Sequence, residues 1–406
     1  MTSAAQAVGE RIAYHRRRLG LSQVDLAGLV GRSDSWVSQV ERGVRSVDRL
    51  SVLQKVADVL GVSMAELRTG EPSDTEADTD RPEAFESLRL TLTGHPAAGV
   101  VLGSPPPALT QQAIAGLRAE HEQVWELVHA SRYNELAPLL AELIPSLERA
   151  VRSDGQPEQA RAVRQLLTDT YQAVAAMLAK TGEGDAAWIA ADRAALAAES
   201  LGDPLALAAS LFRMAHVFLS LGQLSQVQAV AVTSTEALER QEATPGVLSL
   251  RGAFQLVLAV AAARDNDRAG AYGHLDQARE LASQIGAGRN DFGTEFGPTN
   301  VALHSVAVAV ELGDAGQALE LASAVDPAGL SPERQARYSL DIAQAHAMRR
   351  QAGEALHYLE LAEQLTPEQT RSHRVAQAVA RDLLHLAGPR VRPELRELAD
   401  RFGVTP

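Results

Sequence analysis

Apolar positions recur at helical spacing almost from end to end of the chain. Over residues 5–67 they predict five short helices: "QAVGERIAYHRRRLG", with Val8, Ile12 and Leu19 inward, then "SQVDLAGLVG", "SDSWVSQVERG", "SVDRLSVLQKVADVLG" and a short "SMAEL". Gly20, Gly31, Gly43 and Gly61 stand at or near their ends, as helix stops do. Residues 69–84, "TGEPSDTEADTDRPEA", are acidic and poor in apolar side chains, and read as a solvated linker. Leu88, Leu90 and Leu92 then alternate as a strand would, but the segment is short and isolated, so a docked helix is the preferred reading. From 108 to about 387 the pattern is helical throughout, broken by Gly, Asp or Pro into helices of roughly 14 to 22 residues.

Several of those breaks look alike: "KTGEGDAAW", "SLGQLSQVQAV", "ARDNDRAGAY", "ELGDAGQALEL" and "RRQAGEALHYL". Each ends one long helix and opens an Ala-rich one, at a spacing of about 38 to 52 residues, which marks a degenerate repeat. In two copies, Ala215, Phe218 and Gly222 of "MAHVFLSLG" and Ala355, Leu359, Ala362 and Pro367 of "EALHYLELAEQLTP", the pattern resembles the paired antiparallel helices of tetratricopeptide repeats. An irregular helical bundle is the alternative. The expected fold is all-α: a helix-turn-helix domain over 1–68, a linker with a short docked segment over 69–107, a helical-repeat array (an α-solenoid) over 108–388 and a capping segment over 389–406.

Charge divides the chain in the same places. The net charge of −13 splits into +3 over residues 1–70, −5 over 71–107 and −11 over the remainder. A basic first module on an acidic body suggests that only the first meets an anion. With no cysteine, disulfides and thiolate metal sites are excluded. No signal peptide is visible and no run reads as a membrane span, so a cytoplasmic protein with no membrane partner is expected.

The elements "LSQ..LA..VG.S...VS.VERG" and "A..LGVS...L" give residues 7–67 a resemblance to the Xre-type, phage-repressor-like helix-turn-helix domain. The resemblance implies that the third helix lies in the major groove of double-stranded DNA. Its outer face holds Asp34, Ser35, Trp36 and Gln39 as candidate base readers. Gln can pair with adenine, Ser with several base edges, Asp with cytosine N4, and Trp can press on a thymine methyl. Asp34 could equally cap the helix, and Trp36 could equally anchor the core. Gln23, Arg32, Ser38, Arg42, Arg45 and Arg49 are the candidate phosphate or minor-groove contacts, although "RSVDRL" departs from the Pro-containing loop common in that family. Such small heads bind short half-sites, so a homodimer on a palindromic operator is expected.

In a solenoid of helix pairs the first helix of each pair lines the concave face. That places Arg213, His216, Asn300, His304, Arg337, Asp341 and Gln344 there, as ligand contacts or as merely solvated groups. The irregular stretch "GAGRNDFGTEFGPTN", residues 286–300, adds Arg289, Phe292, Glu295 and Phe296 as a candidate lid over the same face. The domain order resembles the RRNPP class of peptide-sensing regulators. Few Asn side chains are available to hold a peptide backbone, however, so a peptide and a small-molecule effector are both open. The resulting expectation is a DNA-binding regulator whose body senses a signal, with a DNA-tethered interaction scaffold as the alternative. Catalysis and cofactors are not expected. Two Glu-x-x-His pairs, Glu126/His129 and Glu354/His357, have the spacing of di-iron ligands but sit in the first and last repeats, too far apart in a solenoid to share a metal.

Overall fold

The computed structural model describes residues 4–45, 47, 50–60, 62, 67, 83–94, 102, 108–286, 288–387 and 393–404. The head contains α1 (Ala4–Arg18), α2 (Gln23–Val30), α3 (Asp34–Glu41) and α4 (Leu50–Leu60). Of the predicted fifth helix only Leu67 lies within the described residues, and it is buried in the head's core. Each short helix has a start and a stop written in its residues. Ser22 and Asp25 form a reciprocal capping box at α2, and Gly31 ends it in the left-handed conformation (φ 70°). Ser33 caps α3 by accepting from the Trp36 amide. Ile12, Leu26, Val37, Val40, Val56 and Leu60 close the core. Gly9 lets α1 lie directly on α3: a Cβ there would sit 2.0 Å from the Val40 carbonyl oxygen.

The alternating leucines form a helix, α5 (Glu83–Thr93), with Leu88 and Leu92 buried against the array and Leu90 exposed. The period of four between the two buried residues is the helical one, and Leu90 is the residue that made the stretch resemble a strand. The acidic stretch at 69–82 lies outside the described residues.

The body is helical throughout. Its elements are α6 (Gln111–His129), α7 (Tyr133–Val151), α8 (Pro157–Lys180), α9 (Gly184–Leu201), α10 (Pro204–Ser220), α11 (Leu224–Glu239), α12 (Pro245–Arg264) and α13 (Arg268–Ile285). They continue as α14 (Pro298–Glu311), α15 (Ala315–Ala322), α16 (Pro332–Met348), α17 (Ala352–Leu365), α18 (Pro367–Ser372), α19 (Arg374–Ala387) and α20 (Pro393–Arg401). Neighbours in sequence pack against each other as antiparallel pairs, and first helices of successive pairs also touch. Small side chains make this close approach possible. Ala186, Ala187, Ala190, Ala191, Ala194 and Ala198 of α9 are buried at helical spacing, and so are Ala355, Leu359 and Ala362 of α17. A proline opens α8, α10, α12, α14, α16 and α18, where a missing amide costs nothing. The 20-residue helix α12 corrects one expectation: it is long and apolar enough to cross a membrane, but 78% of its apolar window is buried inside the fold as a core helix.

The array curls until its two ends meet. The Ser131 hydroxyl (2.6 Å) and the Tyr133 hydroxyl (2.8 Å) both donate to Gln369 Oε1, and the Asn134 amide donates to Glu368 at 2.8 Å. Lys180 at the end of α8 reaches Glu333 at the start of α16 at 3.2 Å. First helices far apart in sequence therefore face one another across a closed inner space.

Candidate functional site: the reading helix and the inner face of the array

On α3, Val37 and Val40 point into the head and Asp34 and Ser35 are exposed. The Asp34 carboxylate accepts from the Ser35 amide, a local bond that leaves its second oxygen at the helix start. Trp36 is half-buried, packing its ring on the head's core while the Arg32 guanidinium lies 5.7 Å over its face. Gln39 is half-buried on the same helix, and Ser38 follows Val37 with its carbonyl accepting from Arg42. Arg32, Arg42 and Arg45 are exposed around this surface; Arg49 lies outside the described residues.

Gln23 is already engaged. Its amide donates to Glu41 at 2.8 Å, and Arg16 grips both oxygens of the same carboxylate at 2.5 and 2.9 Å. This near-buried triad fastens α1, α2 and α3 together, so the orientation of the reading helix is set by a charged knot beneath it.

The other side of the head is docked on the body. The Tyr14 hydroxyl donates to Glu311 at 2.7 Å, and Arg264 holds the same carboxylate at 3.3 Å. Burial would push the Glu311 carboxyl up, but Arg264, Arg18 and the Tyr14 hydroxyl outweigh it and bring it down to about 2. Arg350 faces Asp25 at 3.6 Å. At Gly20 (φ 64°) the backbone comes so close that a Cβ would stand 1.9 Å from the Met348 carbonyl oxygen. Among the described residues, these links leave from α1, the turn after it and Asp25, away from the exposed face of α3.

The inner face of the array is a buried polar cluster. Of the residues expected there, Arg213, His216, Asn300 and His304 come together with Glu295 from the loop. Arg337 pairs with Asp341 at 3.2 Å and bonds His373 at 2.9 Å, nearer the head. Gln344 lines a small cavity there with Arg18, Val379 and Asp382. Burial and neighbouring cations, Arg334 foremost, lower His304 to about 4 and His216 well below its ordinary value, so both are neutral at pH 7. Burial raises Asp341 to about 6 even though Arg337 pulls the other way.

The loop packs against this cluster. Arg213 donates to the carbonyls of Phe292 (2.8 Å) and Gly293 (3.1 Å) while stacking on Trp125 at 4.9 Å. Phe296 is fully buried over Gly252, and Phe292 is partly buried. Glu295 accepts from the amide and hydroxyl of Ser331 at 2.9 and 2.8 Å. Exposed Arg289 is joined to Asp291 at 2.8 Å, which in turn accepts from Ser249. Phe292 and Glu295 both adopt positive φ (55° and 50°), a conformation that costs a non-glycine residue about 1–3 kcal/mol and persists only where the surroundings impose it.

Several residues of this cluster escaped the sequence reading. Lys180, Glu333 and Arg334 are central to it, Trp125 carries the stacked guanidinium, and Asp169 sits within the field of Arg213. Lys180 carried a faint signal as one of only two lysines in an Arg-rich chain. His129, noted only for metal spacing, belongs to the same cluster, and among the described residues no group of three or more His, Asp or Glu is placed to hold a metal.

A family model described as a helix-turn-helix domain matches residues 7–69. The HTH-type transcriptional regulators SinR of Bacillus licheniformis and SinR of Bacillus subtilis are each 33% identical over 81 residues, which is 20% of this chain and 72% of each regulator. Among solved structures, Bacillus thuringiensis PlcR in complex with the peptide PapR7 and DNA is aligned over 86% of this chain and 99% of its own, at 14% identity and a TM-score of 0.35. The apo form of the competence regulator ComR from Streptococcus vestibularis is aligned over 75% and 99%, at 17% identity and a TM-score of 0.21. The knotted head with its exposed third helix, matched over 63 residues to the helix-turn-helix model and over most of SinR's length, identifies this chain as a member of the HTH-type transcriptional regulators.

Proposed function

We propose that this DNA-binding regulator reads an operator as a homodimer, and that its helical-repeat body senses a peptide or small molecule and sets the arrangement of the two heads. The observation that carries this reading is the position of Glu311. It receives the Tyr14 hydroxyl from the head, while its charge also acts on Arg337 and Asp341 of the inner-face cluster. A ligand that redistributes charge in that cluster has a direct physical route to the head's attachment. Asp34, Ser35, Trp36 and Gln39 are assigned to base edges, and Arg32, Ser38, Arg42 and Arg45 to the backbone; Gln23, its amide oriented by Glu41, is assigned to phosphate as well. Arg49, beyond the described residues, keeps its expected phosphate role.

Selection of duplexes by the full chain from a randomised pool tests this. The expected product is an inverted repeat with half-sites about one helical turn apart, bound by two chains. Recovery of no preferred sequence, or of a single half-site bound by one chain, contradicts it.

A further inference from the structure

Arg213 differs from the cations around it, which pair with carboxylates. It is almost wholly buried, yet among the described residues no carboxylate lies within 4 Å of it. The neighbouring cations are matched: Lys180 pairs with Glu333 at 3.2 Å and Arg334 lies 3.5 Å from Glu295. Arg213 instead spends its terminal nitrogen on two main-chain carbonyls, and its Nε is buried with no hydrogen-bond partner. Asn300 Oδ1, Arg334 Nε and His129 Nε2 of the same cluster are likewise buried without a hydrogen-bond partner. A small cavity of about 10 Å³, room for one water, opens among Phe212, His216, Thr294, Asn300, His304 and Arg334.

The two carbonyls that face Arg213 come from a strained segment. Phe292 is left-handed, and so is Glu295 three residues on. A guanidinium prefers the paired oxygens of a carboxylate to a pair of neutral carbonyls, because the bonds are charge-assisted and match its planar fork. The arrangement is therefore that of an anion site held shut by a weaker, internal occupant.

We propose that Arg213 is the docking point for the carboxylate of the sensed ligand, and that the Gly288–Gly297 segment is a built-in competitor which the ligand displaces. This deepens the sensing role proposed above and rests on it. The ligand class is an organic carboxylate, presented either by a peptide C-terminus or by a small acid. Trp125, stacked on Arg213 and 3.3 Å from the position a Gly293 Cβ would take, reports the event. Arg289 and Asp291, with Ser249, are the clasp that keeps the competitor seated.

The test uses the full chain carrying Trp36→Phe and Trp188→Phe, so that Trp125 alone emits. Three probes are titrated: a hexapeptide pool lacking Asp and Glu with free C-termini, the same pool C-terminally amidated, and a mixture of four- to eight-carbon monocarboxylic acids. The free peptides, the acids or both should shift the Trp125 emission, and which of them does identifies the source. The amidated pool should bind at least tenfold more weakly than the free one. Arg213→Gln should abolish the response, Arg213→Lys should retain it at reduced affinity, and Asp291→Asn should tighten binding severalfold by loosening the clasp. Equal binding of free and amidated pools, an undiminished response in Arg213→Gln, or silence to all three probes overturns the carboxylate site. If the parent chain, with Trp36 intact, still selects an operator sequence, the regulator reading survives that failure; loss of sequence selection by the parent chain would remove the reading itself.

Discussion

A single missing Cβ holds the loop in place. Gly252 of α12 lies under the Phe296 ring, and a methyl there would fall 1.9 Å from the ring. Gly252→Ala should therefore expel Phe296 or shift α12, destabilising the body by about 1–3 kcal/mol as overpacked cores do. A denaturant midpoint equal to that of the parent protein would show that the loop accommodates the methyl. The buried histidines give the molecule a pH signature. His304 is held near 4 by burial and by Arg334, against an ordinary value of 6.5. Between those two values the unfolded chain binds a proton that the native chain does not, so stability is intact above 6.5 and is lost as pH falls towards 4. By pH 5 the loss from this one group is at most about 2 kcal/mol. Asp169 and Asp341, both raised to about 6 by burial, work in the opposite sense over roughly pH 4–6, so the comparison is made against His304→Gln. The variant should lose less stability than the parent on going from pH 7 to 5; parallel losses would contradict the assignment.

At the level of elements, the head is tied to the array by α1 and the turn that follows it. Tyr14→Phe removes a bond to a charged carboxylate, a contact of the kind that contributes about 1.5–3 kcal/mol. Gly20→Ala adds a Cβ where the Met348 carbonyl already stands. Both changes should free the head without unfolding it, seen as faster amide exchange at α1 and a larger radius of gyration, with operator affinity altered. Unchanged exchange and dimensions would mean that the docking contributes little. Helix identity was legible in the sequence because caps, stops and apolar spacing agree: Ser22, Gly31 and Ser33 act in the structure as their residue types imply. The leucines at 88, 90 and 92 left a strand open beside the preferred helix, which the structure bears out, because two of three alternating positions also satisfy a helical period. The inner-face positions Arg213, His216, Asn300 and His304 followed from the first-helix rule. Their partners could not be read the same way. Lys180, Glu333 and Trp125 reach the cluster only because the array closes on itself, and that closure rests on Ser131, Tyr133 and Gln369, whose 236- and 238-residue separations carry no local pattern. The membrane-like character of α12 was missed for the opposite reason: a helix buried on all sides has the same composition as one in a bilayer.

Across the whole molecule, Glu311 joins the array to Tyr14 of α1, and α1 is tied to α3 through Arg16, Glu41 and the close packing at Gly9. The acidic body should stay off DNA, while the +3 head supplies the exposed arginines. Arg32→Ala should then flatten the salt dependence of DNA binding by about one unit of slope without changing which sequence is preferred, and an unchanged slope would remove Arg32 from the phosphate contacts. The central claim is that the exposed face of α3 reads sequence. Its most direct measurement is the affinity of the full chain, Ser35→Ala and Gln39→Ala for the selected operator and for a scrambled duplex, all at one moderate salt concentration. Each substitution should cost about 1–3 kcal/mol on the operator and almost nothing on the scrambled duplex. Equal losses on both duplexes, or no loss on either, would contradict the assignment of this helix as the reader.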